Sequence, residues 1–190
     1  MKAGKAKRRC SDIARRTRET DVEISLVLDG CGVVECDIPD QFLRHMVETF
    51  SRYSGSDVKI KARGDIDHHL IEDVAIALGR AYRDALGDIP VKRISSATVP
   101  MDEALVQVTV DLIDRPFVHL ELPDKMYQHF LRSFAMELRA TLHTRVIRGE
   151  DPHHIVEATF KALGLALKDA MAPVTAELST KSKVSWGKGR

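Results

Sequence analysis

The residues in this chain with the most chemistry to offer are its histidines. Two short segments share one pattern, His68-His69-Leu70-Ile71-Glu72 and His153-His154-Ile155-Val156-Glu157. Helical residues turn by about 100° each, so the first His and the Glu, four apart, share a face while the second His points away. Each segment therefore addresses two ions. Imidazole nitrogens with a carboxylate suit manganese, iron or zinc. If the first His of each copy joins its own Glu and the second reaches across a pseudo-twofold or subunit boundary, two binuclear-like sites close, each still short of ligands. His45, on the preceding helix, and His143, opening the strand that leads into the second segment, are the expected completers. Paired histidines at helix starts can also merely cap or solvate. Retention of both His and the Glu in two copies, while neighbouring residues differ, weighs against that. His119 and His129 lack such partners and read as surface or interface residues.

These segments belong to a longer repeat. Residues 68–85 align without a gap on residues 153–170, with nine identities in eighteen positions. Arg63-Gly64-Asp65 stands over Arg148-Gly149-Glu150, and Phe42-Leu43-Arg44 finds a counterpart in Phe130-Leu131-Arg132 at a slightly different offset. The chain is a duplication.

Each half reads alike. Alternating Val22, Ile24, Leu26 and Leu28 predict a half-buried strand at 19–28, and Asp29-Gly30 a hairpin turn into a strand at 31–38. A helix at 40–53, a strand over Val58–Arg63 and a helix at 69–86, stopped by Gly87, follow. The second half offers strands near 92–99, 104–113 and 116–121, a helix at 125–138, a strand at 141–148 and a helix at 154–171. The expected fold is α+β: internally duplicated β-β-α-β-α halves at 15–87 and 88–174, two mainly antiparallel sheets with helices packed between them. Residues 1–14 read as a flexible basic arm and 175–190 as a tail.

Composition narrows the function classes. A chain of 190 residues can bury a core without staples, and its 29 Lys plus Arg nearly balance 28 Asp plus Glu. Eight of those bases fall in residues 1–18 with one acid, so a basic arm precedes an acidic body. The arm lacks aromatics for base stacking and the body offers no basic face, which argues against a nucleic-acid partner. No window resembles a membrane span or a secretory signal, so a cytoplasmic protein is expected. Cys10, Cys31 and Cys36 lack metal or redox spacing and read as structural or exposed thiols.

From about residue 15 to 182 the chain resembles the imidazoleglycerol-phosphate dehydratase family of histidine biosynthesis, as a compact, divergent branch. The resemblance rests on Arg16-x-Thr-x-Glu-Thr, Leu28-Asp29-Gly30, Phe42-x-x-His45-Met46, the segment 68–73, Val99-Pro100-Met101-Asp102-Glu103-Ala104-Leu105, Asp111 with Arg115-Pro116, Thr141-Leu142-His143, the segment 153–162, and Ser179-Thr180-Lys181. It implies two manganese ions per active site and a homo-oligomeric cage of roughly 24 subunits with sites shared between neighbours. It implies as metal ligands His45, His68, His69, Glu72, His143, His153, His154 and Glu157, and as substrate contacts Glu19, Arg93, Arg115, Ser179 and Lys181. Arg44, Tyr53-Ser54 and Asp151-Pro152 depart from the family pattern, and the connections at 64–68 and 122–125 are short.

The implied reaction takes water from imidazoleglycerol phosphate to give imidazoleacetol phosphate. The proton leaves a carbon with no adjacent carbonyl, so cations on the ring nitrogens must help accept charge. Glu19 is the candidate acid/base, and Arg93, Arg115 and Lys181 are candidate phosphate donors. Two alternatives use the same residues differently: a metal-dependent hydrolase that activates water, and a noncatalytic assembly protein tied together by metal.

Overall fold

The computed structural model describes residues 8–175. The first half runs β1 (Cys10–Arg16), β2 (Thr20–Val27), β3 (Val34–Asp37), α1 (Gln41–Ser54), β4 (Asp57–Gly64) and α2 (Asp67–Leu86). The second runs β5 (Ile94–Met101), β6 (Ala104–Asp111), β7 (Phe117–His119), α3 (Lys125–Leu138), β8 (Thr141–Arg148) and α4 (Pro152–Ala170). Each half is thus the expected β-β-α-β-α unit with one further strand, β1 in the first half and, in the second, the strand expected near 116–121. The sheets are four-stranded, ordered β1-β2-β4-β3 and β5-β6-β8-β7. Pairing is antiparallel except at β3–β4 and β7–β8, where a helix provides the crossover that parallel neighbours need.

One face of each sheet is apolar. Val22, Ile24, Leu26, Val58, Ile60 and Ala62 point inward from the first sheet, and Val106, Val108 and Val110 from the second. Between the faces lie the helices: α2 covers β1 and β2, α4 covers β5 and β6, α3 packs on α2, and α1 packs on α4. Helix pairs therefore join the halves. They cross closely because a glycine sits at each crossing. A Cβ on Gly79 would stand 2.4 Å from the Phe134 carbonyl oxygen, and one on Gly164 2.8 Å from that of Phe50. Phe50, Tyr82 and Phe134 meet beneath, with ring centroids 5.3 to 5.9 Å apart, and the Tyr82 hydroxyl lies 3.0 Å from Ser54 Oγ.

Two expectations are corrected. The flexible arm does not extend to residue 14, because Cys10–Arg16 pairs with β2 along its whole length. This edge strand hides its alternation: its inward positions are Ser11, Ile13 and Arg15, and the two polar ones find partners on α2. Ser11 Oγ donates to the Ala81 carbonyl at 2.7 Å and Arg15 donates to Asp73 at 2.8 Å. Nor does Asp29-Gly30 close a hairpin between consecutive strands. Instead the chain crosses to the far edge, where β3 runs beside β4, and Asp57 holds the bend by accepting from the backbone N–H of Cys31 and Val33 at 2.8 and 2.9 Å.

Candidate metal and active site

The first turns of α2 and α4 carry the two His-His-x-x-Glu segments. Asp151 caps α4 by accepting from the His153 N–H at 2.8 Å, with Pro152 at the first helical position. This Asp-Pro pair, a departure from the family pattern, is thus a helix-start device. The segment 64–68 starts at a close approach: a Cβ on Gly64 would stand 2.9 Å from that of Leu70.

Helical spacing brings Glu157 to His153, and the neighbouring α1 supplies His45. Glu157 Oε2 lies 3.2 Å from His45 Nε2 and 3.4 Å from His153 Nε2. Its other oxygen, Oε1, takes Lys161 Nζ at 2.8 Å. Burial pushes the Glu157 carboxyl up, but hydrogen bonds from Lys161 and His45 outweigh it and hold the group below its usual value. Glu157 is therefore a carboxylate with one oxygen fixed and the other facing two imidazoles.

The second trio is His68, Glu72 and His129. Its ligand atoms, like those of His45, His153 and Glu157, all lie within 4.8 Å of one another. His68 and His129 stack with ring centroids 5.4 Å apart. Among the described residues, His129 Nε2 is buried without hydrogen-bond geometry to any partner, although Glu72 Oε1 is 3.1 Å away. A buried nitrogen aimed at a carboxylate and a second imidazole fits a cation, which would take its lone pair. The donor set, two imidazoles and a carboxylate per trio, fits a divalent transition metal and leaves further coordination positions open.

His129, not His143, thus completes the second trio. His143 lies on the outer face of its sheet, its ring 5.6 Å from Phe117 and 6.0 Å from His119. His129 is the structural counterpart of His45, since Asp40 and Asp124 cap α1 and α3 at equivalent points. The Phe42–Phe130 alignment was therefore out by one helical turn. Such a shift keeps nearly the same face inward, so apolar pattern alone does not reveal it. Pro39-Asp40 and Pro123-Asp124, a matched helix start, are the signal that does.

The second histidine of each pair points elsewhere, as helix geometry requires. His69 Nδ1 meets Asp65 at 2.8 Å with Glu19 Oε2 at 3.6 Å, and His154 Nδ1 meets Glu103 at 2.7 Å. The hydrogen bond to Asp65 raises His69 above its ordinary pKa, and that to Glu103 raises His154. Glu103 is held down to about 2, chiefly by the Asp151 backbone N–H and then by His154. A carboxylate on Nδ1 fixes the tautomer and leaves Nε2 as the donor atom, the arrangement usual for a metal-binding imidazole; that of His154 lies 3.6 Å from the exposed Asp102 carboxylate.

The expected substrate contacts separate. Glu19 stands at the foot of β2, more than half exposed, beside His69. Arg93 pairs with Asp111 at 2.8 Å. Arg115 is exposed and has no ion-pair partner among the described residues, while Ser179 and Lys181 lie outside them. The concavities that include Asp12, Ser25 and Lys59 open on the solvent face of the first sheet, opposite the helix layer.

Residues 39–167 match the family model for imidazoleglycerol-phosphate dehydratase. The imidazoleglycerol-phosphate dehydratase of Dictyoglomus thermophilum is 43% identical over 184 residues, covering 93% of this chain and 99% of that protein. The enzyme of Thermoanaerobacter pseudethanolicus is 42% identical over 86% of this chain and 91% of its own. Among solved structures, the Pyrococcus furiosus dehydratase superposes with a TM-score of 0.79 at 38% identity over 88% of this chain and 98% of its own. That from Staphylococcus aureus gives 0.78 at 30% identity, over 87% and 99%. Doubled sheets, paired helices and this breadth of similarity lead to one conclusion: the chain belongs to the imidazoleglycerol-phosphate dehydratase family, hydro-lyases of histidine biosynthesis.

Proposed function

We propose that the protein dehydrates imidazoleglycerol phosphate to imidazoleacetol phosphate as a manganese-dependent homo-oligomer in the cytoplasm, with each active site shared between neighbouring chains. The observation that carries this reading is the pair of equivalent trios, His45-His153-Glu157 and His68-Glu72-His129, each accompanied by an outward His with a carboxylate behind it. A trio leaves a metal under-coordinated, and the outward Nε2 atoms of His69 and His154 supply what a neighbouring chain's trio lacks. Held by these trios and outward imidazoles, divalent cations would supply Lewis-acid stabilisation of the charge that develops as the hydroxyl leaves.

The chain's own groups do the rest. Glu19 moves a proton at the substrate carbon next to the one that loses hydroxyl, a role that its exposed carboxylate beside His69 supports. The hydroxyl leaves as water, and the enol so formed loses its O–H proton and gains one on the carbon that lost the hydroxyl, giving the ketone. Arg115, exposed and with no ion pair among the described residues, is free to hold the phosphate dianion. Arg93, Ser179 and Lys181 are the further phosphate contacts in this reading.

A coupled assay with imidazoleglycerol phosphate tests it. Turnover should disappear on chelation and return with manganese. Turnover that survives complete metal removal would overturn the metal-dependent reading, and hydrolysis of the phosphate ester without ketone product would favour a hydrolase.

A further inference from the structure

The duplication places two glutamates in equivalent positions, Glu19 before the first residue of β2 and Glu103 before the first residue of β6. They have been put to opposite uses. Glu103 spends its carboxylate on the fold: Oε1 accepts from the backbone N–H of Asp151 at 2.9 Å and of Glu150 at 3.3 Å, and Oε2 meets His154. The Glu19 carboxylate makes no hydrogen bond among the described residues, and its nearest basic atom is His69 Nδ1 at 3.6 Å.

What holds Glu19 is its backbone. Thr17 Oγ1 accepts from the N–H of Glu19 at 3.1 Å and of Thr20 at 2.9 Å. The Thr17 hydroxyl lies 3.0 Å from Thr20 Oγ1, and Thr20 in turn donates to Asp73 Oδ2. Arg15 donates to the other Asp73 oxygen at 2.8 Å, and the Glu19 carbonyl accepts from the Asp65 N–H at 3.0 Å. Thr20 is 5% and Asp73 7% exposed, so this chain of bonds is shielded from water and strengthened by it. The second half has none of it, since Ala104 stands where Thr20 does and Ala158 where Asp73 does. A buried aspartate with a matching threonine is costly to keep unless both are paired. The half that keeps them is the half whose glutamate is unbound.

We infer that Asp73 and Thr20 are positioning residues for the dehydration, locking the Thr17–Thr20 turn so that the Glu19 carboxylate is held at its working place without being consumed by a hydrogen bond of its own. The inference rests on the acid/base reading of Glu19. Asp73 adjoins the ligand Glu72, yet acts through the opposite neighbour, the β1–β2 turn.

The test is a mutant cycle on the manganese-loaded oligomer, reading kcat, KM, metal content and particle size together. Thr20→Val keeps the shape and removes the donor, and Asp73→Asn weakens the acceptor. Each should lower kcat by about 10 to 100-fold, the scale of a misplaced catalytic group, with KM, metal content and particle size unchanged. Thr20→Ser should restore kcat to within about threefold of the parent, because the hydroxyl returns. On a Glu19→Gln background neither substitution should cost anything further, since a residue acting only through Glu19 has nothing left to act on. Thr20→Val carries the test by itself should Asp73→Asn fail to assemble. If Glu19→Gln keeps turnover near that of the parent, the acid/base reading falls and the inference with it. If Glu19→Gln loses turnover while Thr20→Val keeps it, or if the two losses simply multiply, the inference is overturned and the acid/base reading stands.

Discussion

A single histidine decides how the second trio is built. His129 stacks on His68 and faces Glu72, whereas His143 faces outward on β8. His129→Ala should therefore remove about half of the bound metal, and His143→Ala should leave metal content at the parent value. Elemental analysis after reconstitution checks both. Protonation gives a second residue-level expectation. His69 and His154 are raised by Asp65 and Glu103, so in the metal-free protein their contribution is present below the unfolded value of about 6.5 and is lost as pH rises through the raised folded values. Metal needs the neutral ring and competes with that proton. Between about pH 5.5 and about 8.5 the Tm of metal-free protein should fall slightly, while that of manganese-loaded protein rises. Both groups lie near the surface, so the metal-free slope is small. Parallel slopes would contradict the competition.

Among the elements, the helix pairs hold the halves together. Gly79 and Gly164 stand where α2 meets α3 and α4 meets α1, and a methyl group at either meets backbone, which cannot swing aside as a side chain can. Gly79→Ala and Gly164→Ala should each destabilise by about 1–3 kcal/mol through overpacking, despite the better helix propensity of Ala. Denaturant unfolding measures it, and an unchanged midpoint would show that the helices move apart freely. The elements legible in the sequence are those with local signals. Helices α1 to α4 and strands β2, β4, β5, β6 and β8 follow from apolar period, Gly87 and the duplicated segments. Strand β1 escaped because its inward side chains are Ser11, Ile13 and Arg15, whose burial depends on partners in α2. The place of β3 escaped because a strand that crosses to a far edge is chosen by its partner β4 and by Asp57, both distant in sequence. In the site, the two His-His-x-x-Glu segments were legible from spacing, and His45 from its place on the helix that precedes the first of them. His129 was not, because one helical turn of misalignment between α1 and α3 preserves the same inward face.

For the whole molecule, the duplication sets what one chain can and cannot do. Two trios face solvent at the first turns of α2 and α4, and two outward imidazoles sit beside them on the wrong side of each helix to join. No rearrangement within a helix brings His69 to the metal of His68, because adjacent residues diverge by about 100°. In the proposed reading a second chain closes the sites, and metal binding and assembly are then one equilibrium. Chelation should dissolve the particle into smaller species and restored manganese should rebuild it, as light scattering follows directly. The most direct test of this account is metal content measured across the light-scattering peak of the reconstituted protein. The account predicts about two ions per chain, found only in the large particle and lost with it on chelation. Fewer than about one ion per chain in a fully reconstituted sample, or a metal-loaded monomer, would contradict it.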